Sequence, residues 1–177
     1  SASQRRMSEH FSSRPAGVND IPAMATFIFE HGPNPWNYLP QDAVLAHLHG
    51  IAEGLVRAVL LERDGGELAG FVTFLASSNF ERYQARERRG LLTGYVGEAV
   101  VHRQMVGRGL GSRLLGEAVQ GLDELGIHDI YIERHEENAG SAGMMRKAGF
   151  VEVETFADPQ RRAVGSRRTT LCYLRLT

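Results

Sequence analysis

Tyr95-Val96-Gly97-Glu98-Ala99-Val100-Val101-His102-Arg103-Gln104-Met105-Val106-Gly107-Arg108-Gly109-Leu110-Gly111-Ser112-Arg113-Leu114-Leu115 is the stretch that decides the fold. Its first seven residues alternate as a strand does, and three glycines at every second position then bend the chain into a leucine-rich helix. Glycines without Cβ atoms let the backbone turn tightly and bring N–H groups close to a ligand. A helix N-terminus adds unpaired N–H groups and roughly half a positive charge. Strand, glycine turn and helix start together form a cradle for phosphate, spanning Val106, Gly107, Arg108, Gly109, Leu110, Gly111 and Ser112.

The spacing excludes two common phosphate ligands. A nucleotide-hydrolase loop requires Gly-Lys-Ser/Thr at its end, and the chain's one lysine is Lys147. A dinucleotide fingerprint requires Gly-x-Gly-x-x-Gly, but Ser112 stands three residues after Gly109 and Leu114 three after Gly111. What remains is Gln104-x-x-Gly107-x-Gly109, and later Asn138 opening a short helix that closes at Gly149-Phe150. In order and separation these two motifs resemble those of the GNAT superfamily of N-acetyltransferases, and the resemblance runs from about Arg14 to the C-terminus.

That resemblance implies an α/β (α+β) fold with a mixed, mostly antiparallel central sheet flanked by helices, and acetyl-CoA as co-substrate without a metal. It also implies that backbone groups of Ala99, Val100 and Val101 pair with the pantetheine arm, that an N–H near Val100 or Val101 steadies the oxyanion, and that Asn138 hydrogen-bonds the pantetheine. Asn138 as a plain helix cap needs no cofactor and is compatible with that role. One departure stands out: seven residues after Asn138, where many members carry a catalytic tyrosine, this chain has Met145. Ser141, one turn into the helix, is the candidate substitute acid, the alternatives being water or no acid at all, since a thiol with a pKa near ~8.5 is already a tolerable leaving group. Tyr131 lies on the neighbouring strand with its direction open.

The chemistry requires a base, because a lysine-like amine with a pKa near ~10.4 arrives protonated. Glu98 is the candidate: a carboxylate on the central strand, raised towards neutrality if buried beside the cleft. Its plain alternative is a structural partner or solvent, since a bulge in this strand leaves its face undecided. His102 and His135 follow strand ends and are expected to be exposed or satisfied, and His47 and His49 lack the helical spacing of a metal pair.

Around this centre the chain reads in order. Residues 1–13 are polar and expected to be loose, and 14–177 to form one domain. A short strand near Phe11–Ala16 precedes a helix capped by Asn19 or Asp20, with Pro22 in its first turn. Gly32 to Pro35 breaks it, and a second helix is expected from Gln41 to Glu53. Trp36 and Tyr38 between them either pack on the sheet or line the acceptor pocket. Leu55–Glu62 and Glu67–Leu75 form a hairpin through Arg63-Asp64-Gly65-Gly66. The arginine-rich run from Asn79 to Gly90 is expected to be a solvated loop, its sharper alternative being a site for an acidic acceptor or for cofactor phosphates. The helix Gly109–Leu125 shows an apolar stripe of Leu110, Leu114, Leu115, Ala118, Val119, Leu122 and Leu125. Asp129–Glu133 is the next strand, and Val151–Ala157 and Thr169–Leu176 close the domain as an antiparallel pair.

A net charge of −1 gives no sign of a nucleic-acid or membrane surface. One cysteine, Cys172, rules out an internal disulfide. A cytoplasmic setting is the expectation. The reading is therefore an acetyl-CoA-dependent N-acetyltransferase acting on a primary amine of a small molecule or peptide, with a homodimer among the states the resemblance allows. The alternatives are a non-catalytic acyl-CoA-binding sensor, for which Met145 is the hint, and a transferase of longer acyl groups.

Overall fold

The computed structural model describes residues 10–177. The element order is β1 (Phe11–Pro15), α1 (Ile21–His31), α2 (Gln41–His49), β2 (Arg57–Arg63), β3 (Leu68–Ser77), β4 (Thr93–Val101), α3 (Leu110–Glu124), β5 (Asp129–His135), α4 (Ala139–Lys147), β6 (Val151–Ala157) and β7 (Arg168–Arg175). The strands form one sheet in the order β1-β2-β3-β4-β5-β7-β6, antiparallel throughout except for the parallel pair β4–β5. This is the mixed, mostly antiparallel sheet flanked by helices that the sequence implied. No helix among the described residues is long and apolar enough to cross a membrane.

Most of the expected loose segment, residues 1–9, lies outside the described residues. Its last three residues are ordered in β1, where Phe11, Ser12 and Ser13 pair with Arg63, Glu62 and Leu61. Asp20 stands at the N-terminus of α1 but makes no cap bond there. Its carboxylate instead receives Arg14 at 2.7 and 3.0 Å and the Gly17 N–H at 2.7 Å. The second helix stops at His49 rather than Glu53, because the chain turns tightly about Gly50. The Gly50 carbonyl accepts the N–H groups of Leu55 and Val56, and a Cβ at Gly50 would lie 2.6 Å from Val56.

Alternation along β3 supplies both halves of the core. Val72 and Phe74 face α3 with Leu110, Leu114, Leu115, Ala118 and Leu122, while Phe71 faces α1 and α2 with Met24, Phe27, Ile28, Val44 and Leu48. A strand covered on both faces reads as a nearly continuous apolar run, as β3 does. Of the expected stripe on α3, Val119 is only partly buried and Leu125 is 40% exposed, since the helix ends before Leu125 can turn inward.

Two glycines of α3 separate propensity from packing. A Cβ at Gly116 meets no atom within 4 Å, so Gly116→Ala is expected to stabilise the fold by roughly 0.5–1 kcal/mol. At Gly121 the same Cβ would sit 2.4 Å from the Phe74 ring, so Gly121→Ala should destabilise by about 1–3 kcal/mol. Urea midpoints of the two variants, moving in opposite directions, check this.

Residues 79–90 are packed against the sheet rather than freely solvated. Phe80 is buried and stacks on Tyr131 with ring centres 4.7 Å apart. Arg88 makes a two-pronged pair with buried Asp129 at 2.8 Å for each bond, and Arg82 approaches Glu154 at 3.7 Å. Asp129 and Tyr131 lie in the first half of β5 and Glu154 in β6, so the run buttresses the sheet at the end of β5 away from the cleft.

Candidate active site

A bulge in β4 creates the site. Val72 pairs with Ala99 but Phe74 pairs with Val96, so Thr73 alone faces both Gly97 and Glu98. The Thr73 hydroxyl accepts the Glu98 N–H at 2.8 Å and lies 2.7 Å from His47 Nε2. Burial lowers the His47 pKa, so His47 stands neutral at physiological pH. Only glycine fits beside this pair, because a Cβ at position 97 would come 2.8 Å from the Thr73 hydroxyl and 2.9 Å from the imidazole.

The bulge also ends the parallel ladder. β4 and β5 pair from Thr93↔Asp129 to Val96↔Ile132, and beyond that register they part, although β4 runs on to Val101 and β5 to His135. The β5-facing backbone groups of Ala99, Val100 and Val101 therefore have no ladder partner there, as an added strand-like ligand requires. The gap is a cleft of about 320 Å³ whose lining includes Tyr38, His47, Tyr95, Glu98, Ala99, Glu133, Asn138, Ser141, Arg161 and Arg162. This volume suits a small molecule or the end of a chain.

Glu98 is partly exposed in this cleft. Burial pushes its carboxyl up to about 7, with the nearby Arg162 guanidinium pulling it back. The other lining carboxylate, Glu133, is fully engaged: Arg161 donates to it at 2.9 and 3.1 Å and the Tyr95 hydroxyl at 2.8 Å. The two glutamates of the cleft thus differ in their surroundings: Glu133 is held by three donor bonds, whereas Glu98 is partly buried with its carboxyl raised to about 7.

The glycine turn has the geometry of an anion cradle. Gly107 and Gly109 have φ of 80° and 75°, with open space where their Cβ atoms would be. The N–H groups of Leu110, Gly111 and Ser112 find no backbone acceptor among the described residues, the first such bond of α3 being Arg113 N–H to the Gly109 carbonyl at 3.1 Å. No acidic side chain lies in that first turn, and Val106 to Gly109 are exposed. These features fit the phosphates of a coenzyme. Gly111 serves another purpose: a Cβ there would lie 2.8 Å from Met144 Sδ, so its absence lets α4 pack against α3.

Asn138 caps α4, its Oδ1 accepting the Ser141 N–H at 3.2 Å. Its side-chain amide still has donors to offer, and both residues line the cleft. Met145 is buried in the core beneath α3. Tyr131 points to the opposite face, buried among Phe80 and Tyr173 with its hydroxyl on Gln84, and does not reach the cleft. His135 is satisfied on both nitrogens, with Val164 O at 2.8 Å from Nε2 and the Glu137 N–H donating to Nδ1 at 3.0 Å. His102 accepts the Gln104 N–H and stacks on His31 at 3.9 Å. Trp36 packs on His135, whereas Tyr38 lines the cleft.

Sequence reasoning missed His47, Tyr95, Glu133, Arg161 and Arg162 as lining residues. Tyr95 lay in plain view on the strand that carries Glu98, three residues before it, and Glu133 on the strand paired with that one. The two arginines come from the loop between β6 and β7, which carries no periodicity to say where it folds.

No curated protein matches the chain. Solved structures do: the yncA putative acetyltransferase of Salmonella typhimurium, determined with its cofactor acetyl-CoA, is 21% identical with a TM-score of 0.69, over 95% of this chain and 95% of that one. The ribosomal-protein-S18-alanine N-acetyltransferase of Escherichia coli is 15% identical with a TM-score of 0.71, covering 95% of both chains. Arabidopsis thaliana NAA60, in complex with a bisubstrate analogue, is 15% identical with a TM-score of 0.72, over 94% of this chain and 98% of that one. At such identities the likeness is one of fold. The model of the acetyltransferase (GNAT) family matches residues 21–150, most of the sheet together with the bulge, the glycine turn and α4, and the chain belongs to that family.

Proposed function

We propose that this protein transfers the acetyl group of acetyl-CoA to a primary amine by direct attack, with Glu98 receiving the amine's proton. The observation that carries this is a bulge-held carboxyl raised to about 7, in a cleft continuous with unpaired strand backbone. Acetyl-CoA supplies an activated acyl carbon, so that the amine forms a C–N bond, the C–S bond breaks, and an amide and a thiol result.

The chain's own groups divide the remaining work. Gly107 to Ser112 hold the phosphates, and the open edge of β4 from Ala99 to Val101 aligns the pantetheine. An N–H of Val100 or Val101 faces the developing oxyanion. Glu98 takes the amine's proton, which a carboxyl titrating near neutrality does without a large penalty in either state. Thr73 and His47 fix the bulge and so position Glu98.

Ser141 is a cleft-lining hydroxyl that could replace the missing tyrosine, but a thiol with a pKa near ~8.5 leaves without strong assistance. Ser141→Ala is accordingly expected to lower kcat by less than about tenfold, against the 10²–10⁴ range of an essential acid or base. Steady-state thiol release measures it.

The function is tested by incubating the protein with acetyl-CoA and a panel of amines, following thiol release and identifying the acetylated product by mass. Acetylated amine formed in proportion to thiol supports the transferase. Saturable acetyl-CoA binding with no product from any amine contradicts it and favours an acyl-CoA sensor.

A further inference from the structure

We infer that the acceptor carries an anionic group beside its amine, a carboxylate as in a free amino acid, and that Arg162 receives it. This rests on the transferase proposed above and names its substrate class.

Arg162 is 8% exposed and lines the cleft that contains Glu98. Nε donates to the Thr169 hydroxyl at 2.8 Å and Nη1 to the Trp36 carbonyl at 3.1 Å. Both are neutral acceptors. Among the described residues Nη2 donates to nothing, and no carboxylate comes within ion-pair distance of the guanidinium. The other cationic side chains of the cleft differ. Arg161 is spent on Glu133 and on Asp158, the latter at 2.7 Å. Arg134 donates to Glu152 at 2.6 Å and to the carbonyls of His135 and Glu136 at 3.2 and 2.7 Å. Of the three cleft arginines, only Arg162 has no direct carboxylate partner among the described residues; the nearest such link runs through the Thr169 hydroxyl, which donates to Asp158 at 2.6 Å.

A buried guanidinium with no direct carboxylate partner is costly, and an arriving anion would offset that cost. The hold is firm: Thr169 is on β7, Trp36 precedes α2, and the Arg162 N–H donates to the Asp158 carbonyl at 2.9 Å. The guanidinium is therefore tied to β7 and to the segment before α2, it lines the cleft, and Nη2 is uncommitted among the described residues, leaving a planar donor of the kind that suits a carboxylate. Glu98 offers a proton site and Arg162 an anion site within one small cavity. A zwitterion with a short separation between amine and carboxylate fits both at once.

The competing role for Arg162 is a positioning one, in which its charge merely tunes Glu98. Matched acceptors separate the two: leucine, leucinamide and isoamylamine, and phenylalanine, phenylalaninamide and phenethylamine, each assayed for kcat and KM over a range of pH. The wild-type protein should prefer the acids to their amides and decarboxylated amines by about tenfold or more in kcat/KM, chiefly through KM. Arg162→Gln should abolish that preference, and Arg162→Lys, which keeps charge without the fork, should retain part of it. Acetyl-CoA affinity and thermal melting of both variants report whether they fold, and the wild-type preference stands as a test without them. Equal turnover of acids and amides by the wild type would overturn the inference while leaving the transferase intact. So would an Arg162→Gln variant that loses acids and amides by the same factor with a displaced pH profile. Acetyl-CoA binding with no turnover of any of the six would remove the transferase itself, and this inference with it.

Discussion

Glu98→Gln is expected to cut kcat/KM for amine acetylation by about 100-fold or more at neutral pH. Glutamine keeps the shape of the side chain and the backbone bond from the Glu98 N–H to Thr73, so the bulge persists and only proton acceptance is lost. The pH dependence carries the sharper signature. In the wild-type protein the carboxyl titrates at about 7, and it works as a base only when ionised. Activity is therefore low below that value and rises as the pH climbs through it. In Glu98→Gln that limb disappears, leaving only the acceptor's own ionisation, near ~10.4 for a lysine-like amine. Profiles of kcat/KM against pH for both proteins test this, and a limb near 7 that survives the substitution would assign the base to another group.

The cradle gives the second large effect. Gly109 sits at φ 75° as the residue before α3, a left-handed conformation that costs a residue with a Cβ roughly 1–2 kcal/mol. Gly109→Trp adds a bulky ring in space that is open at present. The backbone either bears the strain or rotates, and rotation turns the N–H groups away from the phosphates. Acetyl-CoA affinity should fall by about tenfold from the backbone alone, and further from the ring. Calorimetric titration of acetyl-CoA measures it, with Gly116→Ala in the same helix as the control that keeps wild-type affinity. Unchanged affinity in Gly109→Trp would mean the phosphates rest elsewhere.

The features legible in the sequence are those written in local patterns. The strand, glycine turn and leucine stripe of β4 and α3 follow from alternation, positive-φ glycines and helical spacing within some thirty residues, as does the hairpin of β2 and β3. Asn138 and Glu98 were named because motif and chemistry pointed at single positions, and the structure places both in the lining of the cleft. The face of Glu98 was not legible, since it depends on a bulge set by Thr73 and His47, which lie 25 and 51 positions earlier in the chain. Arg161 and Arg162 were hidden for the same physical reason: a loop with no repeat is placed by its tertiary partners, here Glu133, Thr169 and Trp36. The run from Asn79 to Gly90 looked solvated by its charge. Its order comes from Phe80, and from Arg88 finding a buried aspartate on a strand that had not yet been paired with it.

The central claim is that the fold holds one carboxyl of the cleft near neutrality for proton transfer. Carbon-13 NMR titration of protein labelled at its glutamate side-chain carboxyls, with Glu98→Gln used to assign the resonance, tests it without reference to any acceptor. The account predicts a Glu98 midpoint at about 7. A midpoint at the ordinary glutamate value of 4.5 would contradict it.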